Sequence, residues 1–88
     1  SNKVAAHYVM NKKNKKGLPI NDVCRFHLGN GAIIDDININ ANVSEVGFNR
    51  SFGVMVNYLY ELKNIEKNHE DYINNKKIII SAQLEKKL

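Results

Sequence analysis

The 88-residue chain has one cysteine, one proline and no tryptophan. With Cys24 alone, no internal disulfide, cysteine-based zinc cluster or Cys-x-x-Cys redox pair can form. A free cysteine is among the most buried residue types, so Cys24 is expected as a small apolar side chain, a nucleophilic role requiring a lowered thiol pKa. No apolar run approaches the roughly 18 residues that cross a bilayer, and the first residues lack the basic, apolar, small-residue order of a signal peptide. The expectation is an intracellular, cytoplasmic chain with no membrane partner. Internal repeats are absent, as is any sign of a second domain.

What is present is ordinary globular composition, with 43% hydrophobic and 25% charged residues. So short a chain makes one small domain, residues 1–88, and buries a smaller fraction of its surface than a typical one, so stability is expected to lean on a partner. The first residue is Ser1 rather than Met, which suggests a chain that begins inside a longer protein. The formal net charge of +4 suits a nucleic acid, an anionic surface or a phosphorylated ligand. Much of it lies in Lys12, Lys13, Lys15 and Lys16, and again at Lys76-Lys77 and Lys86-Lys87. No aromatics interleave these lysines, so the base-stacking platform of a single-strand binder is missing and no nucleic-acid partner is expected. A solvated loop and a contact for coenzyme A phosphates remain as readings.

Along the chain, Val4, Ala5, Tyr8 and Val9 mark one helical face. Lys12 to Gly17 is polar and precedes Pro19, which stops a helix, so it reads as a loop. From Val23 to Leu28 the residues alternate, with Cys24, Phe26 and Leu28 on one side and Val23, Arg25 and His27 on the other, predicting a strand. Asn30-Gly31 then favours a two-residue hairpin, and a second strand from Ala32 to about Asn40 would return antiparallel, with Ile37 and Ile39 on one face. Ser44 is a good N-cap. Phe48, Phe52, Met55, Leu59, Leu62 and Ile65 predict a long helix ending near Asn74-Asn75, weakened at Gly47 and Gly53. Ile78-Ile79-Ile80 predicts a short final strand, with a helical turn to Leu88. The expected class is α/β (α+β): an antiparallel hairpin, a long helix and a short final strand. On that helix Tyr58 and Tyr60 would lie about 200° apart, unable to share a pocket.

Five blocks stand in order: Ala6-His7-Tyr8, Leu18-Pro19-Ile20-Asn21-Asp22-Val23, Arg25-Phe26-His27-Leu28-Gly29-Asn30-Gly31-Ala32, Gly53-Val54-Met55-Val56-Asn57-Tyr58-Leu59-Tyr60, and Glu66-Lys67-Asn68-His69-Glu70-Asp71-Tyr72. In this order they resemble the C-terminal end of the malonyl-CoA decarboxylase family. The resemblance implies part of a catalytic domain similar to acyl-CoA N-acetyltransferases, and loss of carbon dioxide from malonyl-CoA to give acetyl-CoA. That reaction leaves an enolate on the thioester oxygen, which calls for a hydrogen-bond donor aimed at the oxygen and an acid that later protonates the carbon.

Imidazole side chains titrate close to neutrality and can fill either role. The resemblance implies that His27 is catalytic, against the plain alternative of a structural histidine. It puts Tyr60 in the active-site neighbourhood as a neutral donor, against a packed tyrosine. Asn30, Gly31, Ser51 and Asn57 become candidate substrate-binding residues. Asn30 and Gly31 would present backbone amides or simply close a turn, while Ser51 and Asn57 would otherwise be local hydrogen-bonding groups. No metal and no cofactor are implied, malonyl-CoA or coenzyme A being substrate or ligand, with an acyl-CoA as small-molecule partner.

The family's catalytic serine lies farther upstream than this chain reaches, so the chain alone is expected to be inactive. The family's Leu-Asn-Trp-Leu-Ala-Asp-Thr-Ser stands here as Ile37-Asn38-Ile39-Asn40-Ala41-Asn42-Val43-Ser44, and Val46 takes the place of a basic residue, altering packing and charge. A non-enzymatic acyl-CoA or protein-binding module is the alternative. In either case apolar surface shaped for an absent part of the domain would favour a homo-oligomer.

Overall fold

The computed structural model describes residues 2–39 and 54–88. The expectations for Ser44, Gly47, Phe48, Ser51, Phe52 and Gly53 lie outside the described residues.

Helix α1 (Asn2–Asn11) forms as expected, but its buried face is Ala5, Ala6 and Val9, while Val4 and Tyr8 stay exposed. The following loop is tied by its own groups: Asn14 Oδ1 accepts from the amides of Lys16 and Leu18, and Lys13 pairs with Pro19 in an isolated antiparallel bridge.

The segment expected as a strand is helix α2 (Asp22–Gly29). Its start is chemically specified, since Asn21 Oδ1 accepts from the Cys24 amide at 3.0 Å and Asp22 places negative charge in the first turn. Arg25 Nη1 reaches back to the carbonyls of Pro19 and Ile20, at 3.0 and 2.9 Å, and fixes the entry. The supposed apolar side does not exist, because Phe26 is 64% exposed while Cys24 and Leu28, one helical turn apart, are buried.

Asn30-Gly31 is accordingly not a hairpin turn but the end of α2. The Gly31 amide donates to Leu28 and the Ala32 amide to the His27 carbonyl, a paired closure in which the residue after the cap takes positive φ. Gly31 has φ +90°, and a Cβ there would lie 2.4 Å from the Ile65 carbonyl oxygen.

Strand β1 (Ile33–Ile39) follows, and its antiparallel partner is β2 (Val54–Leu59), not the segment before it. The register shifts between Ile34 and Asp36. This bulge resets the alternation, so that Ile34 and Ile37, three residues apart, are both fully buried. The expected long helix is overturned over β2: Val54, Val56 and Tyr58 are half-buried and alternate with exposed Met55, Asn57 and Leu59, which is the period of a strand.

A 3-10 turn (Leu62–Asn64) leads into α3 (Ile65–Asn75), which ends where expected. The expected final strand amounts to one parallel bridge, with the Ile34 amide donating to the Ile79 carbonyl and the Ser81 amide to that of Ile34. Helix α4 (Ala82–Lys87) is capped by Ser81 Oγ, which accepts from the Leu84 amide and donates to the Asp35 carbonyl at 2.7 Å. Lys87 of α4 pairs with Asp36 of β1 at 2.8 Å. The core gathers Ala5, Ala6, Val9, Cys24, Leu28, Ile34, Ile37, Tyr72 and Leu84; α1, α2 and α4 close on β1, and α3 packs against α2.

Candidate active site

Helix α2 and strand β2 meet at His27. Its Nδ1 lies 2.7 Å from the Tyr60 hydroxyl, and its ring stacks on that of Tyr58 with centroids 4.2 Å apart and planes 21° apart. Phe26 meets the imidazole edge-on at 5.3 Å. Tyr58 and Tyr60 thus converge on one imidazole. The helical argument that kept them apart fails because residues i and i+2 of an extended chain share a side.

The hydrogen bond leaves one outward donor in either tautomer. When the Tyr60 hydroxyl donates to Nδ1, the imidazole proton sits on Nε2; when Nδ1–H donates to the phenol oxygen, the Tyr60 hydroxyl proton is free to donate onward. His27 is half-buried and Tyr60 is 39% exposed, so the pair lies at the surface of the described residues, where a substrate oxygen can reach it.

Helix α3 holds the other end of the turn that carries His27. Asn68, buried, donates from Nδ2 to the Gly31 carbonyl at 3.2 Å. His69 Nδ1 lies 2.6 Å from the Gly29 carbonyl oxygen, and since a carbonyl only accepts, the proton is on that nitrogen. Ile65 fills the space that Gly31 leaves open. The Asn68-His69 pair was read in the sequence only as part of a matching block. Its signal was a polar pair embedded in a helix that also carries Ile65 and Tyr72.

Among the other candidates, the Asn30 amide is engaged by the carbonyls of Phe26 and His27, and the Gly31 amide by that of Leu28. The Asn30 side chain is exposed. Asn57 is exposed and alternates with Tyr58 along β2, so it faces away from His27. Tyr58, which the sequence left as packing, is the residue missed. The alternation of Val54, Val56 and Tyr58 was its available signal.

Tyr58 and Cys24 face the same cavity. Burial pushes the Cys24 thiol above its ordinary range, an effect the neighbouring Tyr58 hydroxyl only partly offsets, and burial likewise drives the Tyr58 phenol far up. Both are therefore neutral at physiological pH, and Cys24, 1% exposed, is the buried side chain its scarcity suggested. Beside them opens a cavity of about 190 Å³ lined by Tyr8, Val9, Cys24, Val54, Val56 and Tyr58 among others. Among the described residues no cluster of His, Cys, Asp and Glu could hold a metal ion, and no helix is long and apolar enough to cross a membrane.

Comparison with known proteins bears on the same residues. The family described as Malonyl-CoA decarboxylase C-terminal domain matches residues 1–88. The mitochondrial malonyl-CoA decarboxylase of Rattus norvegicus is 38% identical over 82 residues, 93% of this chain but 16% of the relative. That of Anser anser anser is 37% identical over the same share. The chain therefore spans about a sixth of the length of these curated relatives. The crystal structure of malonyl-CoA decarboxylase from Rhodopseudomonas palustris superposes with a TM-score of 0.77 at 42% identity, covering 94% of this chain and 19% of that one. The one from Cupriavidus metallidurans gives 0.72 at 39% identity, covering 97% and 21%. The chain belongs to the malonyl-CoA decarboxylase family.

Proposed function

We propose that this chain supplies the C-terminal part of a malonyl-CoA decarboxylase catalytic domain, with His27 and Tyr60 acting on the thioester. The observation that carries this reading is the 2.7 Å contact between His27 Nδ1 and the Tyr60 hydroxyl. Cleavage of the bond to the departing carboxylate leaves its electron pair on the α-carbon, delocalised onto the thioester oxygen as an enolate. The outward donor of the His27–Tyr60 pair stabilises that oxygen, and a proton delivered to the carbon yields acetyl-CoA. Asn30, exposed at the end of α2, touches the substrate in this reading. Gly31 acts through the shape of the turn, and Ser51 and Asn57 complete the proposed substrate-binding set, Asn57 away from the reacting group because it faces away from His27.

The substrate is an acyl-CoA. Gly17, next to Lys15 and Lys16 in the α1–α2 loop, lies against Lys76, where a Cβ would be 3.5 Å from Lys76 Nζ, and a cationic surface there suits coenzyme A phosphates. The antiparallel β1–β2 pair, extended by the parallel bridge at Ile80, suits one edge of an acyl-CoA N-acetyltransferase-like sheet. Exposed Phe26, Met55, Leu59 and Leu62 are apolar surface for the rest of such a domain; in the isolated chain they favour self-association, which light scattering reads directly.

The experiment replaces the matching C-terminal segment of the Rhodopseudomonas palustris enzyme with this chain and follows acetyl-CoA formation. The chimera is expected to turn over, and its His27→Gln and Tyr60→Phe variants each to lose roughly 100-fold in kcat, the low end of the range for a general acid and for one donor to the oxyanion. The 88-residue chain alone is expected to give no acetyl-CoA. A His27→Gln chimera as active as its parent overturns the assignment, and full turnover by the isolated chain overturns the idea that the site is shared with upstream residues.

A further inference from the structure

We infer that Tyr58 is a positioning residue that clamps the His27 imidazole against α2 by stacking its ring on the imidazole. This inference rests on His27 acting in the proposed decarboxylation. An imidazole on a surface helix is free to turn about two side-chain torsions, and a single hydrogen bond to Tyr60 fixes one point of the ring without fixing its plane. The plane is fixed by Tyr58, whose ring lies nearly parallel at 4.2 Å and 21°.

Tyr58 is itself held from several directions. Its backbone lies in β2 opposite Ile34, the fully buried residue at the centre of the core. Its side chain lines one cavity with Cys24, three residues before His27 and so one turn earlier along α2. The Tyr58 ring therefore sits against the face of α2 that carries both Cys24 and His27. Tyr60, 39% exposed, has no such anchor among the described residues, so the order of support runs from the core through Tyr58 to His27, and from His27 to Tyr60. Cys24, in the core, ties that face of α2 to the rest of the fold.

The test uses the 88-residue chain and, separately, the chimera described above. Proton and nitrogen NMR of the imidazoles reads His27 directly, with His7 on α1 and His69 on α3 as internal reports on folding. In the parent chain the Tyr58 ring current is expected to move the His27 ring protons upfield of those of His7, and the nitrogen shifts to show one dominant tautomer. Tyr58→Leu is expected to abolish the upfield shift and bring the two tautomers toward equal populations, with the His69 signals unchanged. Tyr58→Phe keeps the stacked ring, so the upfield shift and the dominant tautomer are expected to persist.

In the chimera, Tyr58→Leu is expected to lower kcat by roughly 10- to 100-fold, the scale of a misplaced group, with KM within about twofold, and Tyr58→Phe to recover most of the loss. If Tyr58→Leu leaves the His27 tautomer ratio and ring shifts unchanged in a chain whose His69 signals are native, the clamp is refuted while the decarboxylase reading stands. If Tyr58→Leu unfolds the chain, Tyr58→Val, which keeps a β-branched residue in the strand, decides: a His27 spectrum identical to the parent refutes the clamp. If the NMR changes occur but His27→Gln leaves the chimera fully active, the clamp holds and the catalytic reading falls.

Discussion

Gly31 offers the sharpest test of how the site is built. Replacing it with alanine perturbs two separate things. The residue sits at φ +90°, and a side chain in the left-handed region costs about 1–2 kcal/mol. The added Cβ would also lie 2.4 Å from the Ile65 carbonyl oxygen and 2.9 Å from its Cγ2, distances at which backbone must move, and such overpacking costs about 1–3 kcal/mol. Together Gly31→Ala should destabilise by about 2–5 kcal/mol. Domains this small have stabilities on the order of 5–10 kcal/mol, and each kcal/mol moves their melting temperature by about 4–8 °C. A fall of at least about 8 °C is expected, read by circular dichroism in thermal and urea melts. Gly29→Ala is the internal control, because its Cβ would meet Tyr72 Cε2 at an ordinary 4.0 Å within a helix, where alanine is favoured by up to about 1 kcal/mol. It should leave stability unchanged or raise it. The reasoning is refuted if Gly31→Ala shifts stability by less than about 0.5 kcal/mol, or if both alanines behave alike.

Three further outcomes follow from the packing around this turn. Asn68→Ala removes the donor to the Gly31 carbonyl and leaves that oxygen buried and unpaired, so urea melts should show a loss of about 1–3 kcal/mol. Tyr72 is 4% exposed and its hydroxyl is buried with no hydrogen-bond partner among the described residues; Tyr72→Phe should therefore be neutral or stabilising by up to about 1 kcal/mol, and a loss beyond that scale would reveal a partner for the hydroxyl. The Cys24 thiol and the Tyr58 phenol have pKa values raised by burial. Their contribution to stability is complete below the unfolded thiol's value near 8.5 and declines as pH rises past it, then past about 10 for the phenol, by at most about 1.4 kcal/mol per pH unit for each group. Denaturation as a function of pH should show this alkaline decline, and Cys24→Ala should remove the part that begins near the thiol's value; a flat profile in the parent would count against burial as the cause.

The family, the existence of α1 and α4, the end of α3 and the strand at β1 were all legible in the sequence, because each rests on a pattern that only one structure satisfies. Ser81 before Ala82 is a cap, and the polar run after Tyr60 ends at Asn75 on the left-handed Lys76. The two central errors share one physical origin. A spacing of four residues is a whole number of strand repeats and close to one helical turn, so Cys24 and Leu28 fit a strand as well as a helix, and Met55 and Leu59 fit a helix as well as a strand. Six or seven residues are too few for the periods of 2.0 and 3.6 to drift apart. The Asn21 cap, with its bond to the Cys24 amide, was the local sign that favoured the helix. The alternation of Val54, Val56 and Tyr58 was the one that favoured the strand.

That ambiguity bore directly on the site. The sequence picked out His27 and Tyr60 as candidates, yet reading β2 as helix set Tyr58 and Tyr60 on opposite sides, so one of them had to be discarded from the pocket. In the strand the same two residues point the same way, and α2 delivers His27 between them. Bringing the parts together needs contacts far apart in the chain. Ile65, Asn68 and His69 of α3 close the turn after α2, while Tyr58 stacks on His27 from β2. Residues whose job is to hold another segment carry no periodic signature of their own, and for that reason the catalytic candidates could be named from the sequence while their supports could not.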